Sequence, residues 1–506
     1  MSRLPGKDES YWVDTTPTTN HRRLVDDIDV DVAVVGGGIA GLCTAWELVE
    51  AGRSVAVLEA HRIVSGVTGN TTAKLTALHT LAYAGLRESA GADVARAYAQ
   101  SQQQAVEHVF ATADRLGIDC ELERLPAYTY AESPDQVGTI EAEAGAAKEA
   151  GLPASFVTDT GLPYPVAGAV RVDGQAQFHP RKYLLGLAER FVAQGGQIYE
   201  RSRVLDLAEG EPCRLSVETG ATVTARDVVV ATHYPIFDRA LLFGRLTPHR
   251  ELAVGGVIPA DRDPAGMYIT TEQGTRSVRT APYAGGSRYL IVTGESFTPG
   301  TSEVTGRFER LADWAAERFG VEVTHHWAAQ DNDSTDHLPY VGPLHVGARH
   351  AYVATGYGAW GMSNGVMSGT LLAESIAGPS PPPWAAIYDP RRLHPRRETG
   401  PMLRAQASVA KHFVGDRLRS SHVDSVDEIA PGSGAVVRLG GDRRAVYRDD
   451  DGTAHVVSAT CTHLGCLVAY NDAERSWDCP CHGSRFGVDG DVLQGPATHP
   501  LTRYEL

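Results

Sequence analysis

Residues Asp31-Val-Ala-Val-Val35 run without interruption into Gly36-Gly37-Gly38-Ile39-Ala40-Gly41 and then into a helical pattern that continues through Glu50. The order of buried parallel strand, glycine turn and helix constrains the fold more than any other feature of the chain. Gly36 permits a tight turn, Gly38 lets the backbone approach a pyrophosphate at the helix N-terminus, and Gly41 allows the helix to pack closely on the strand. Ile39 and Ala40 sit inside the same turn and count with the cofactor-binding residues. The next strand, Ser54-Val-Ala-Val-Leu58, ends at Glu59-Ala60, eighteen residues after Gly41, where a carboxylate can hold the ribose hydroxyls of an adenosine.

Two further apolar strands extend the pattern. Asp227-Val-Val-Val-Ala231-Thr232 ends at a small-residue turn, and His350-Ala-Tyr-Val-Ala-Thr355 runs into Gly356-Tyr-Gly358-Ala-Trp360-Gly361-Met362. The second glycine run also satisfies the dinucleotide pattern, but no acidic residue closes a strand about twenty residues later. The chain instead enters a helix, Ser363 to Ala377, and the proline-rich Gly378-Pro-Ser-Pro-Pro-Pro383. Backbone contact with a flavin ring fits Gly356, Gly358, Gly361 and Met362 better than a separate NAD(P) fold. The separated strands are therefore expected to converge on one nucleotide fold interrupted by an inserted domain.

A different chemistry closes the chain. Cys461-Thr-His463-Leu-Gly-Cys466 is followed by Cys479-Pro-Cys481-His482-Gly-Ser484, so each box supplies cysteine and histidine together. Two thiolates, Cys461 and Cys479, can hold one iron of a [2Fe–2S] cluster while two imidazoles, His463 and His482, hold the other. A structural zinc ion could also use two Cys and two His, yet zinc fingers usually pair like with like at short spacing. Neutral ligands on one iron raise the reduction potential to roughly −150 to +300 mV, against about −400 mV for an all-cysteine plant-type cluster.

At this point the tail resembles the Rieske proteins of the quinol-oxidising cytochrome complexes, whose boxes also read CTHLGC and CPCHGS. The resemblance implies a Cys466–Cys481 disulfide tying the two loops together and a covering proline loop at Gly495-Pro496-Ala497. It also implies that Ser484 donates a hydrogen bond to a bridging sulfide. Phe486 stands where the family usually has tyrosine, which removes one potential-raising hydrogen bond and lowers the expected potential below that of the respiratory proteins.

Residues 28–380 resemble the glycine oxidase and D-amino-acid oxidase superfamily, with the closest likeness to bacterial fusions of such an FAD oxidoreductase with a C-terminal Rieske domain. Asp336-His337-Leu-Pro-Tyr-Val-Gly342 matches the D-x-x-P-x-x-G turn before the last FAD strand. Ser65 to Lys74, including Thr71, Thr72 and Ala73, matches the loop over the pyrophosphate and beneath the isoalloxazine. The same resemblance places Val204 against the adenine and Ala231-Thr232 on the second side. It implies an α/β FAD-binding fold, Rossmann-like and of glutathione-reductase type, with an inserted α+β substrate domain and a small all-β Rieske domain.

The expected boundaries are an N-terminal extension (1–27), an FAD-binding domain (28–80, 166–244 and 329–380) and a substrate domain (81–165 and 245–328). A linker and helix (381–420) and the Rieske domain (421–506) follow. Ala92 to Leu116 reads as helix, and Met267–Thr270, Ser277–Thr280 and Tyr289–Val292 as antiparallel strands. The linker holds a basic stretch, Arg391 to Arg397, and a helix from Met402 to Leu418; a tether of that length allows docking or swinging. In the tail, Ala435–Leu439 and Ala454–Ser458 read as strands. Superfamily members bind amino-acid carboxylates with Arg and Tyr from the substrate sheet, which makes Arg279, Tyr268 and Tyr283 candidates, Tyr283 being slightly better explained as a sheet-edge residue facing solvent. Lys74, Trp360 and His337 are candidates to reach the flavin ring, although Lys74 could simply neutralise phosphate.

Composition narrows the partners. The net charge is −16, and from Ser421 onward seven Arg face thirteen Asp and Glu, which argues against nucleic acid or an anionic membrane as partner. No apolar run approaches the ~20 residues needed to span a bilayer, and the first twenty residues have no apolar h-region, so a cytoplasmic protein is expected. Cys43, Cys120 and Cys213 lie far apart and read as small buried hydrophobes. The expected activity is oxidation of a C–N bond in an amine or amino acid by FAD. Electrons would then leave one at a time through the Rieske cluster to an external acceptor of unknown identity. The alternative is an electron-transfer module relaying electrons from an external donor to a partner enzyme.

Overall fold

The computed structural model describes residues 4–237, 239–272, 274–301, 303–393, 398–400, 402–403 and 425–505. Among these residues the strands form an eight-stranded sheet, a ten-stranded sheet and two four-stranded sheets.

The eight-stranded sheet is built around Ile28–Val35, which pairs in parallel with Val55–Leu58 on one side and Thr222–Val230 on the other. Thr222–Val230 in turn pairs in parallel with Ala351–Thr355, and Val55–Leu58 with Gln197–Tyr199. These central strands are apolar on both faces, as parallel strands covered by helices must be. The cover on one face comes from Ile39–Glu50 and Gly361–Ala377. The two helices meet at glycine: an added Cβ at Gly365 would lie 2.6 Å from the Ile39 side chain, and one at Gly369 would lie 2.6 Å from Cys43 Cβ. Cys43 is thus a small hydrophobe in a helix crossing, and burial pushes its thiol well up.

The ten-stranded sheet runs in the order Lys7–Asp8, His325–Ser334, Leu246–Ile258, Arg288–Phe297, Ser277–Pro282, Met267–Thr270, Glu123–Ala131, Gly168–Gln177 and Lys74–Leu75, with Ala154–Val157 attached to Gly168–Gln177. The sequence-based segments and the sheets differ here. Gly168–Gln177 and His325–Ser334 join this sheet, whereas the sequence placed 166–177 and 329–334 with the nucleotide-binding segments. Lys7–Asp8 pairs with His325–His326 at its edge, so the N-terminal residues are woven into the body. The helix expected over 92–116 is found as Ala92–Leu116. The helix expected over 402–418 lies, from 404 on, outside the described residues.

The tail consists of two antiparallel four-stranded sheets. One contains Ser433–Leu439, Asp442–Arg448, Ala454–Ser458 and Arg503–Tyr504; the other contains Ala469–Asn471, Ser476–Asp478, Arg485–Gly487 and Val492–Gln494. Trp477 and Phe486 face each other across the second sheet, both fully buried.

Candidate active site and iron–sulfur centre

A cavity of about 360 Å³ opens at the C-terminal ends of the parallel strands, the position where open α/β sheets hold their ligands. Gly36 (φ +110°) and Gly38 to Ala40 form its floor. A side chain at Gly36 would collide with the Ala231 carbonyl at 2.4 Å. One at Gly41, just below the cavity, would meet the Gly36 carbonyl at 1.9 Å. Both collisions show why this turn needs glycine. Glu59 lies alongside and accepts from the N–H groups of Gly37 and His61, each at 2.8 Å. Burial pushes its carboxyl up while these N–H groups hold it down.

Ala60, Ser65, Thr71, Thr72, Val204, Ala231 and Thr232 line the same cavity, as do Gly361 and Met362. The arrangement fits FAD: a side-chain-free pyrophosphate cradle at a helix N-terminus, a carboxylate at the ribose position and an apolar wall toward Met362. Ala73, Gly356 and Gly358 are not in the lining. Gly356 packs instead against Leu246, Ser334 and Tyr340.

The wall toward the ten-stranded sheet holds residues that the sequence reading missed. His249 and Glu251 project from Leu246–Ile258, and Asp331 is the cross-strand partner of His249. Burial opposes charge on His249, but Asp333 at 3.1 Å, with Asp331 and Glu251 nearby, holds it up to about 9. Burial pushes Glu251 upward, against the attraction of His249 and Lys74. Asp331 stays low despite burial because His233, at 3.3 Å, and His249 favour its charge. The available signal was His249 and Glu251 at i and i+2 in a strand that is otherwise apolar beyond Glu251.

The proposed catalytic residues divide. Lys74 lies behind the cavity wall, with Nζ donating to the Tyr268 carbonyl at 3.3 Å and to Ser277 Oγ, and 5.7 Å above the Trp360 ring. Burial lowers it to about 8. Trp360 stacks on His79 with centroids 4.5 Å apart, also outside the lining. Arg279 lies outside the cavity lining. It is 1% exposed and donates to the main-chain carbonyls of Thr72, Ala73, Phe178 and Thr280. Tyr268 is likewise spent, its hydroxyl donating to the carbonyls of Thr160 and Pro264, and Tyr283 is 41% exposed. His337 is exposed in a turn with φ +61°, away from the cavity. Asp336 in the same turn holds Arg392 at 2.7 Å and caps the Leu338 N–H.

In the tail, the four expected cluster ligands gather by type. The Cys479 thiol donates to the Cys461 sulfur, which holds Cys461 down to about 7 and raises Cys479. The His463 and His482 rings stand 4.9 Å apart at 89°. A tetrahedral zinc ion would bring all four donors within about 4 Å of one another. Among the described residues the group of three or more close ligand atoms is Cys466, Cys479 and Cys481, so the Cys and His pairs do not share one centre. Separated pairs of thiolates and imidazoles fit the two irons of a [2Fe–2S] cluster. Cys466 and Cys481 form a disulfide across the loops. Ser484 Oγ accepts from the Ala497 N–H at 3.0 Å, which fastens the Gly495–Ala497 loop to the second box.

Fold and site together define a flavin-dependent oxidoreductase body carrying an iron–sulfur domain. Residues 31–375 match the family described as FAD dependent oxidoreductase, and residues 420–505 the Rieske [2Fe-2S] domain. The chain belongs to this FAD dependent oxidoreductase family, with a C-terminal Rieske domain, and binds FAD and a [2Fe–2S] cluster. A Bacillus subtilis protein named for a Rieske 2Fe-2S iron-sulfur centre, YhfW, is 33% identical over 500 residues, 98% of each chain. Gamma-glutamylputrescine oxidoreductase of Escherichia coli is 25% identical over 70% of this chain and 85% of its own. The crystal structure of glycine oxidase from Geobacillus kaustophilus superposes with a TM-score of 0.61 at 21% identity, covering 72% of this chain and 99% of that one. No described helix is long and apolar enough to cross a membrane.

Proposed function

We propose that the protein oxidises a C–N bond of an amine or amino acid and passes the electrons through its own Rieske cluster to an external acceptor. One observation carries the reading: a single cavity is walled by the nucleotide fingerprint, by the His249, Glu251 and Asp331 cluster, and by Leu493 to Gly495 of the iron–sulfur domain. FAD would be held by Gly36 to Gly41, Glu59, the 65–72 loop and Gly361-Met362, and the cluster by Cys461, Cys479, His463 and His482. Bound FAD supplies a hydride acceptor for the C–H beside nitrogen, and the cluster supplies one-electron transfer.

The chain's own residues prepare the amine. Only a neutral amine releases hydride readily, so an ammonium entering the site must lose a proton. The Glu251 carboxylate, in the cavity wall and with its pKa raised by burial, is placed to attract the cation and accept that proton at an Oε atom. Asp331 adds negative potential beside it, and His249 keeps the carboxylates from repelling one another. The cytoplasmic setting expected from the sequence is part of the same proposal.

Anaerobic mixing of the holoprotein with a panel of amines and amino acids tests the reading. Bleaching of flavin absorbance by at least one member, followed by cluster reduction, is expected. Bleaching by a reduced carrier protein and by no amine or amino acid would favour the relay alternative.

A further inference from the structure

The iron–sulfur domain meets the flavin body through buried contacts that are specific in charge and geometry. Arg250, with a side chain 1% exposed, donates to both carboxylate oxygens of Glu474 at 2.6 Å. Glu474 also meets Arg485 at 3.0 Å, and Arg485 holds the fully buried Asp478 at 3.0 Å. Charges alternate along this chain, and removing one would leave its neighbour buried without compensation.

A second anchor lies on another element. The Asp472 carboxylate accepts from the N–H groups of Val304 at 2.8 Å and Thr305 at 3.3 Å, so a residue of the iron–sulfur domain caps the helix Val304–Phe319 of the flavin body. The third contact reaches the cluster loop itself. Gln330, in the cavity wall, donates from Nε2 to the Gly483 carbonyl at 3.0 Å. A Cβ on Gly483 would lie 2.3 Å from that nitrogen and 2.9 Å from Pro248, which makes the approach as close as backbone allows. The neighbouring His482 ring faces Tyr234 and Phe243 of the flavin body, with centroids 6.0 and 6.2 Å away.

We propose that the iron–sulfur domain works from this one docked position rather than by swinging, and that Glu474 and Asp472 are positioning residues holding the second Cys/His box against the wall of the flavin cavity. The proposal rests on the reading that reduced FAD supplies this cluster. Per turnover the flavin gives up two electrons and two protons. The electrons pass singly, each reducing the cluster by one. An external one-electron carrier reoxidises the cluster after each transfer, and the protons go to water. Transfer falls steeply with separation, so a fixed contact makes its rate independent of large-scale diffusion.

The test uses the full-length holoprotein, photoreduced anaerobically with EDTA and a light pulse, with flavin absorbance and the cluster EPR signal followed in buffer and in glycerol. Cluster reduction in the wild type is expected to follow flavin reduction at a rate that glycerol does not change. Glu474→Gln should slow that transfer several-fold and make it viscosity-dependent. Asp472→Ala, which removes a helix cap without leaving a buried charge, should act in the same direction. Flavin photoreduction and the EPR line shape should stay as in the wild type, and hydrogen exchange at the Val304 and Thr305 amides should rise in Asp472→Ala. A wild-type rate that falls with viscosity, or two variants with wild-type transfer, overturns the docked position. A wild-type cluster that stays oxidised after the flavin is bleached overturns the underlying reading instead.

Discussion

Arg279 was a reasonable carboxylate ligand by position in a sheet strand, but its guanidinium is occupied by four main-chain carbonyls and lies 5.1 Å from the Trp12 ring. Its work is to tie the 72–73 loop to the sheet. Arg279→Met should therefore lower unfolding free energy by about 3 kcal/mol, since several buried acceptors lose their donor. A change in substrate KM with stability intact would restore it as a ligand. His249 gives a pH signature. With its folded pKa near 9 against an ordinary 6.5, the native state binds the proton more tightly. That contribution is whole below pH 6.5 and is lost as pH rises through 9. Lys74 acts in the opposite sense: its pKa of about 8 against 10.5 makes stability rise between those values. Urea midpoints measured from pH 6 to 9 should fall less steeply in His249→Gln than in the wild type. At the tail, Cys461→Ser should abolish the cluster's visible and EPR signals while leaving flavin content unchanged.

Elements were legible wherever local pattern and tertiary role agree. The strand at 31–35, the helices at 92–116 and 363–377 and the strands at 267–270 and 277–280 all stand where apolar periodicity puts them. The iron–sulfur domain was legible because metal chemistry leaves few alternatives in Cys and His spacing. Sheet membership was harder. Gly168–Gln177 and His325–Ser334 lie at the edges of the segments expected to build the nucleotide fold, and only their distant partners decide which sheet takes them. For the same reason the cavity wall was missed: His249 and Glu251 become a pair with Asp331 only through the register of two strands some eighty residues apart. The helix crossing at Gly365 and Gly369 makes its own prediction. Gly369→Leu, placed 2.6 Å from Cys43 Cβ, should force the two helices apart and lower the flavin-to-protein absorbance ratio of the purified protein, whereas the same change at the open position Gly138 should not.

For the whole molecule, the arrangement places a flavin-binding cavity and an iron–sulfur domain side by side within one chain. The two bodies share a wall: residues 493–495 and 498 of the tail line the cavity whose floor is the 36–40 turn. The most direct measurement is rapid-freeze EPR after anaerobic mixing with an amine that bleaches the flavin, at two or more protein concentrations. The account predicts a Rieske-type signal that appears after flavin bleaching with a first-order rate independent of protein concentration. A cluster that stays oxidised, or one reduced at a rate proportional to protein concentration, would contradict it.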